Sequence, residues 1–224
     1  MSLAIDVPNI VINTPEWLAL LTTGVGAAEG AVLARNSTRN KSVQMDFVGC
    51  LVLALFMGLG GGFARDALLG NTPVLALRTP WYVVVVIIAA VLVTLLGRFI
   101  PSTHSKAFLL LDSLTLGLYA AIGVQLALDF DVSLIGAVVV GMFASLSGGI
   151  IVSVLKRETP QILLTGSPYA ALAFIGIVVY LVVAPYSGGL ASVACVSIVV
   201  VTRFAVLRWN IKTRATVPLQ SRDG

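Results

Sequence analysis

Residues 56–70, FMGLGGGFARDALLG, put glycines at 58, 60, 61 and 62 inside an otherwise apolar run and follow them with Arg65 and Asp66. Glycine in a helix interior costs about 1 kcal/mol per position against alanine. A charge inside hydrocarbon costs about 3 kcal/mol on insertion scales. In lipid, irregular or glycine-rich backbone is tolerated only against other protein or water. This stretch should therefore face the inside of a helical assembly.

The rest of the chain supplies that assembly. Of 224 residues, 58% are hydrophobic and 11% charged, with a mean hydropathy of +1.02. Soluble domains carry about 25% charged residues. Composition thus indicates an all-α integral membrane protein without a separate soluble domain. A span needs about 20 apolar residues. Seven apolar runs stand out, at 17–34, 43–63, 81–97, 108–128, 132–155, 168–184 and 190–207, before a polar tail at 208–224. The N-terminal residues lack a basic stretch before an apolar core and do not read as a cleaved leader. Cys50 and Cys195 fall in apolar runs and read as buried free thiols. His104 is the single histidine, in a hydrophilic loop, which argues against zinc or haem. No cofactor and no nucleic-acid partner is expected. The chain has no HExxH, no GxSxG and no paired intramembrane aspartates, so an enzyme is not expected either.

Loop charges set the expected orientation. With the spans alternating, Arg35, Arg39, Lys41, Arg98, Lys106, Lys156, Arg157, Arg208, Lys212, Arg214 and Arg222 all fall on one side. The other side receives only Arg65 and Arg78. Arg203 lies within the last span. The basic side is expected to be cytoplasmic, with the N-terminus outside and the C-terminus inside. That arrangement requires an odd number of spans.

The opening stretch also has an echo. Gly61-Gly62 and Thr72-Pro73 recur as Gly148-Gly149 and Thr159-Pro160, an offset of 87 residues. At that offset Gly49 falls on Gly136, Leu68 on Leu155 and Tyr82 on Tyr169. Upstream, TTGVGAAEG (22–30) lies over TLGLYAAIG (115–123) at an offset of 93. Each unit holds three spans, and an odd number inverts the second across the membrane. The expected architecture is two inverted repeats, 17–97 and 108–184, plus a seventh helix at 190–207. In transporters, inverted repeats place the pathway at their interface.

Gly60, Gly61 and Gly62 are expected to kink or open the second span, and Gly148 and Gly149 the fifth. Freed carbonyls at such breaks coordinate cations. The plainer alternative is close helix packing by small residues. Arg65 and Asp66 should lie near the outer end of the second span. Adjacent helical residues do not face each other, so each is expected to have a separate partner. Arg65 either snorkels to the interface or lines an outer vestibule. Glu29, deep in the first span, is a functional candidate as an intramembrane carboxylate, or else is protonated and bonded to a facing helix. Asp112 and Gln125 in the fourth span, and Ser145, Ser147 and Ser153 in the fifth, complete the polar set. Serines often bond their own helix backbone. The loops LLGNTPVLALRTP and LKRETPQILLTGSP are expected to form short interfacial turns. Arg208, Lys212 and Arg214 suit anionic lipid headgroups or a plain positive-inside anchor.

The stretch GGGFARDALLGNTPVL resembles the GGG-x-x-RD-x-LLG-x-x-P pattern of a bacterial membrane family related to the trimeric intracellular cation (TRIC) channels. SGGIIVSVLKRETPQIL resembles its second copy, and LLLDSLTLGLYAAIGVQLAL its fourth span. The likeness covers about residues 17–207. Val152 and Ser153 stand where a second Arg-Asp would be, and Glu29 stands where the pattern would have a small or apolar residue. The resemblance implies seven spans and a homotrimer in a prokaryotic inner membrane. It implies a pore inside each protomer around Gly60–Gly62 and Ser147–Gly149, passing monovalent cations, chiefly potassium with sodium possible, and lipid contacts at the trimer. A passive cation channel is the leading expectation. A secondary transporter of a small solute such as glycine is the alternative, with Glu29 as its proton-coupling candidate. Gly61→Leu is expected to abolish transport in a protein that still folds.

Overall fold

The computed structural model describes residues 15–39, 45–96, 99, 102, 103, 105–164 and 168–211, with the side chains of 38 and 39 left aside. Among these residues the chain is helical throughout: α1 (Glu16–Arg39), α2 (Phe47–Leu68), a short α3 (Leu75–Arg78), α4 (Trp81–Leu95), α5 (Lys106–Asp129), α6 (Leu134–Leu155), α7 (Tyr169–Val183) and α8 (Gly188–Arg208). A single 3-10 turn, Gln161–Leu163, lies between α6 and α7. Five helices, α1, α2, α5, α6 and α8, are long and apolar enough to cross a membrane. The apolar helices α4 and α7 have 15 residues each, about 22 Å at the α-helical rise. α3 and the 3-10 turn occupy the two loops expected to form short turns.

Local chemistry sets the helix starts. The Asp46 side chain accepts from the Gly49 N–H at 2.8 Å at the head of α2. Ser133 does the same for Gly136 at the head of α6, at 3.2 Å. Ser105 and Ser187 cap α5 and α8. Each cap satisfies a backbone donor left over at a helix start. The ends of α2 and α6 also match. The Asn71 N–H bonds back to the Asp66 carbonyl and the Glu158 N–H to the Ser153 carbonyl, both at 2.9 Å. Gly70 and Arg157 take positive φ, 65° and 58°. Each of these α2 positions lies 87 residues before its α6 counterpart.

α2 and α6 cross at the centre. Their register runs antiparallel: Met57 lies against Gly148, and Gly61 against Ala144. Both helices pass unbroken through their glycines. The opened turn expected at Gly60–Gly62 and Gly148–Gly149 is therefore corrected. The glycines let a neighbour's backbone approach without freeing their own. A methyl on Gly148 would sit 2.9 Å from the Met57 carbonyl oxygen, and one on Gly60 3.2 Å from the Gly148 Cα. A methyl on Gly61 would strike the Ala144 carbonyl and the Tyr119 ring.

α1 packs on α2 and α4, and α5 on α6 and α8. Gly30 seats α1 against Leu53 of α2, and Gly123 seats α5 against Gly141 and Ala144 of α6. α8 also lies along α7, with Gly176 admitting Cys195 and Val199. Cys50 and Cys195 are buried and free.

Candidate functional site

Because α2 and α6 run antiparallel, their C-terminal ends lie at opposite ends of the molecule. A cavity opens beside each.

The α2-end cavity is small, about 20 Å³, and is lined by α1 (Ala19, Thr22, Thr23), α2 (Gly58, Gly62, Arg65, Asp66) and the aromatic rings of Tyr82 and Tyr119. Such a volume holds about one water. Gly62 matters here for what it leaves empty, since a Cβ built on it meets nothing closer than the Arg65 guanidinium at 4.0 Å. Arg65 and Asp66 are buried, at 6% and 1% exposure, and they pair with each other. Arg65 Nε and Nη2 donate to Asp66 Oδ1 at 2.8 and 2.7 Å. Asp66 Oδ2 accepts from the Leu75 N–H at 2.7 Å, fixing the loop that follows α2. The expectation of separate partners is thus corrected. The long arginine stem folds back over its neighbour because burial leaves both charges nothing better than each other. Burial likewise rules out snorkelling for Arg65.

The α6-end cavity is larger, about 470 Å³. Glu29 and Leu33 of α1, Met57 of α2, Phe108 and Asp112 of α5 and Tyr169 of α7 line one part. Gly149, Ser153, Lys156 and Glu158 line another. Gly149 mirrors Gly62: a Cβ there meets only the Met57 methyl, at 4.0 Å. Asp112 is fully engaged. Tyr169 donates its hydroxyl to Oδ1 at 2.9 Å, and Arg203 Nη2 donates to Oδ2 at 3.1 Å. The Arg203 guanidinium sits 4.9 Å over the Tyr169 ring, a cation–π contact. Thr115 and Asp112 face the Glu29 carboxyl from α5. Glu29 is 2% exposed, and its Oε2 has no hydrogen-bond partner. At the rim, Lys156 and Glu158 form a 2.7 Å ion pair.

The two cavities nearly meet. On α2, Met57 lines one and the next residue, Gly58, lines the other. A thin layer divides them. The Tyr119 hydroxyl donates to the Gly58 carbonyl. Gly26 of α1 fits against both, since a methyl there would lie 3.1 Å from the Met57 oxygen and 3.2 Å from the Tyr119 ring.

Of the residues singled out from sequence, Gly62, Arg65 and Asp66 gather in one cavity, and Glu29, Asp112, Gly149 and Ser153 in the other. Gly60, Gly61 and Gly148 form the helix crossing between them. Ser145, Ser147 and Ser153 donate to Met142, Phe143 and Gly149 carbonyls of their own helix. Ser145, Ser147 and Gln125 line neither cavity. Arg208 is exposed at the end of α8, and Lys212 and Arg214 lie outside the described residues. Sequence reasoning missed Arg203, Tyr169, Tyr119 and Met57 as site residues. Tyr169 had a signal in its match to Tyr82, and Tyr119 lay in the repeat alignment.

Comparison with known proteins points the same way. The family model described as "Glycine transporter" matches residues 16–98 and 109–185. The UPF0126 inner membrane protein YadS of Escherichia coli K12 is 33% identical over 201 residues, covering 88% of this chain and 93% of the relative. A UPF0126 membrane protein of Vibrio cholerae is 31% identical over 191 residues, covering 84% and 77%. The structure of a TRIC trimeric intracellular cation channel orthologue from Rhodobacter sphaeroides matches with a TM-score of 0.76 at 27% identity, covering 88% of this chain and 98% of that one. A second TRIC cation channel structure matches with a TM-score of 0.73 at 28% identity, covering 89% and 98%.

Proposed function

The chain belongs to the family described as "Glycine transporter", and on that premise we propose that it is a monovalent cation channel with a pore inside each protomer. The observation that carries this reading is the pair of cavities. They enter from opposite ends of one protomer and stop one residue apart, at Met57 and Gly58. The pore is proposed to run from the α2-end cavity past the Tyr119–Gly58 hydrogen bond into the α6-end cavity. Opening means moving that tyrosine off the carbonyl, and α2 and α6 bend at their glycines without unwinding.

The proposed topology is seven spans, N-terminus outside, in a prokaryotic inner membrane. Repeats at 17–97 and 108–184 are inverted, and the seventh span, α8, is appended. Two observations support the repeats: the matched caps and helix ends 87 residues apart, and the two segments matched by the family model. The α2-end cavity is then the outer vestibule and the α6-end cavity the inner one. Potassium as the main ion, sodium as a lesser one, and a homotrimer with lipid at Arg208 and the following tail rest on the likeness to TRIC channels.

The family description favours a second reading, a secondary transporter of glycine or another small solute. An occluded central chamber would support it. Of the two cavities, the α6-end one, at about 470 Å³, has room for glycine, but the α2-end one, at about 20 Å³, is too small for an amino acid. The test is reconstitution with flux assays for potassium and for labelled glycine, on wild type and Gly62→Leu. Potassium flux that Gly62→Leu blocks supports the channel. Saturable glycine uptake without potassium conductance overturns it.

A further inference from the structure

The residues that line the two cavities nearly all have their charge matched. Arg65 is paired with Asp66, Lys156 with Glu158, and Asp112 with Arg203. Glu29 is the exception among the described residues. Its carboxyl is buried and lines the inner cavity, and Oε2 has no partner. The groups that face it are Asp112 and Thr115 of α5 and, behind Asp112, Tyr169 of α7 and Arg203 of α8. Lys156 and Glu158 line the same cavity but bond to each other. Two carboxyls with one guanidinium leave one negative charge in a site of low dielectric. Such a charge is kept only with a compensating positive one.

We infer that Glu29, held against Asp112 at the wall of the inner cavity, forms a single-charge site for which a proton and a permeant monovalent cation compete, so that acid on the inner side reduces conduction. With the proton bound, Glu29 is neutral and the wall of the cavity offers a cation nothing. When a cation arrives at Oε2, the proton leaves to cavity water and the site's net charge is unchanged. Asp112 does not take this role, because both of its oxygens are already held by Tyr169 and Arg203. The geometry makes this an occupancy site. Glu29 is among the residues that line about 470 Å³ of space, enough for a partly hydrated ion. The effect on conduction rests on the channel reading above, whereas the competition itself does not.

Two measurements test it on the full-length protein. The first is bilayer conductance in potassium, with only the inner-side pH lowered. Wild type is expected to lose conductance along a single-proton titration, and Glu29→Gln to show no such dependence at whatever level it conducts. A pH-insensitive wild type, or an unchanged titration in Glu29→Gln, overturns the site. The second is infrared difference spectroscopy on exchanging potassium for N-methylglucamine. Wild type is expected to lose the carbonyl stretch of a protonated carboxyl when potassium enters, and Glu29→Gln to lack that band. The spectral change without conduction would sink the channel and keep the site. Conduction with neither pH dependence nor spectral change would do the reverse.

Discussion

Gly61 and Gly62 are neighbours with opposite duties. A methyl on Gly61 meets the Ala144 carbonyl and the Tyr119 ring, whereas one on Gly62 enters nearly empty space. Forcing extra atoms into a packed contact costs about 1–3 kcal/mol. Gly61→Ala is therefore expected to lower the thermal midpoint in detergent clearly, and Gly62→Ala, whose methyl meets nothing closer than 4.0 Å and gains about 1 kcal/mol of helix propensity, to raise it. Equal midpoints would remove the distinction. It follows that Gly61→Leu does not test transport in a folded protein, as the sequence alone suggests, because that side chain drives α2 off α6. Gly62→Leu takes its place. The buried pair of Asp112 and Arg203 gives a second prediction. Removing one partner of such a pair costs about 3–5 kcal/mol by stranding the other. Arg203→Ala should destabilise the protein by that order, measured by thermal unfolding, and a midpoint like wild type would contradict the pairing. Glu29 and Asp112 were legible in the sequence because carboxyls are rare in apolar runs. Their partner Arg203 was visible but unassigned, since 91 residues separate it from Asp112 and no local spacing links them.

The paired helices explain themselves through their ends. Gly70 and Arg157 occupy the same left-handed position after α2 and α6. An L-residue there costs about 1–2 kcal/mol relative to the right-handed region, and glycine avoids that cost. Arg157→Gly is expected to stabilise the protein by about 1 kcal/mol, read as a raised thermal midpoint, and a fall in midpoint would count against the matched geometry. The positions of the helices were legible from apolar runs. Their extents were less so. α2 continues to Leu68, past the charges at which hydropathy ends the span at 63, because Arg65 and Asp66 neutralise each other inside. The unbroken course of α2 through Gly58–Gly62 was not legible either. Glycine marks both an opened turn and a close approach, and only the neighbouring Gly148 and Ala144 decide between them.

At the scale of the molecule, two cavities at opposite ends predict two faces of access. Cys50 and Cys195 are buried, which leaves a quiet background for thiol labelling. Thr72→Cys, exposed in the loop after α2, should react with a membrane-impermeant maleimide from the N-terminal side only, and Ser153→Cys, in the larger cavity, from the opposite side only. Labelling of both from one side would contradict the inverted arrangement. The 87-residue echo of glycines and Thr-Pro pairs was readable in the sequence. The inequality of the two halves was readable too, in Val152 and Ser153 standing where Arg65 and Asp66 would recur, but the arginine found in the second half needed the structure. Arg65 sits beside Asp66 on α2, while Asp112 of α5 takes its arginine, Arg203, from α8, and Glu29, which lines the larger cavity, keeps an unpartnered Oε2.

The most direct test is single-channel recording of the purified protein in planar bilayers under a potassium gradient, wild type beside Gly62→Leu. Discrete current steps that reverse near the potassium equilibrium potential, absent in a Gly62→Leu protein that still inserts and assembles, are the expected result. A silent wild type that instead accumulates labelled glycine in liposomes would contradict a pore through each protomer.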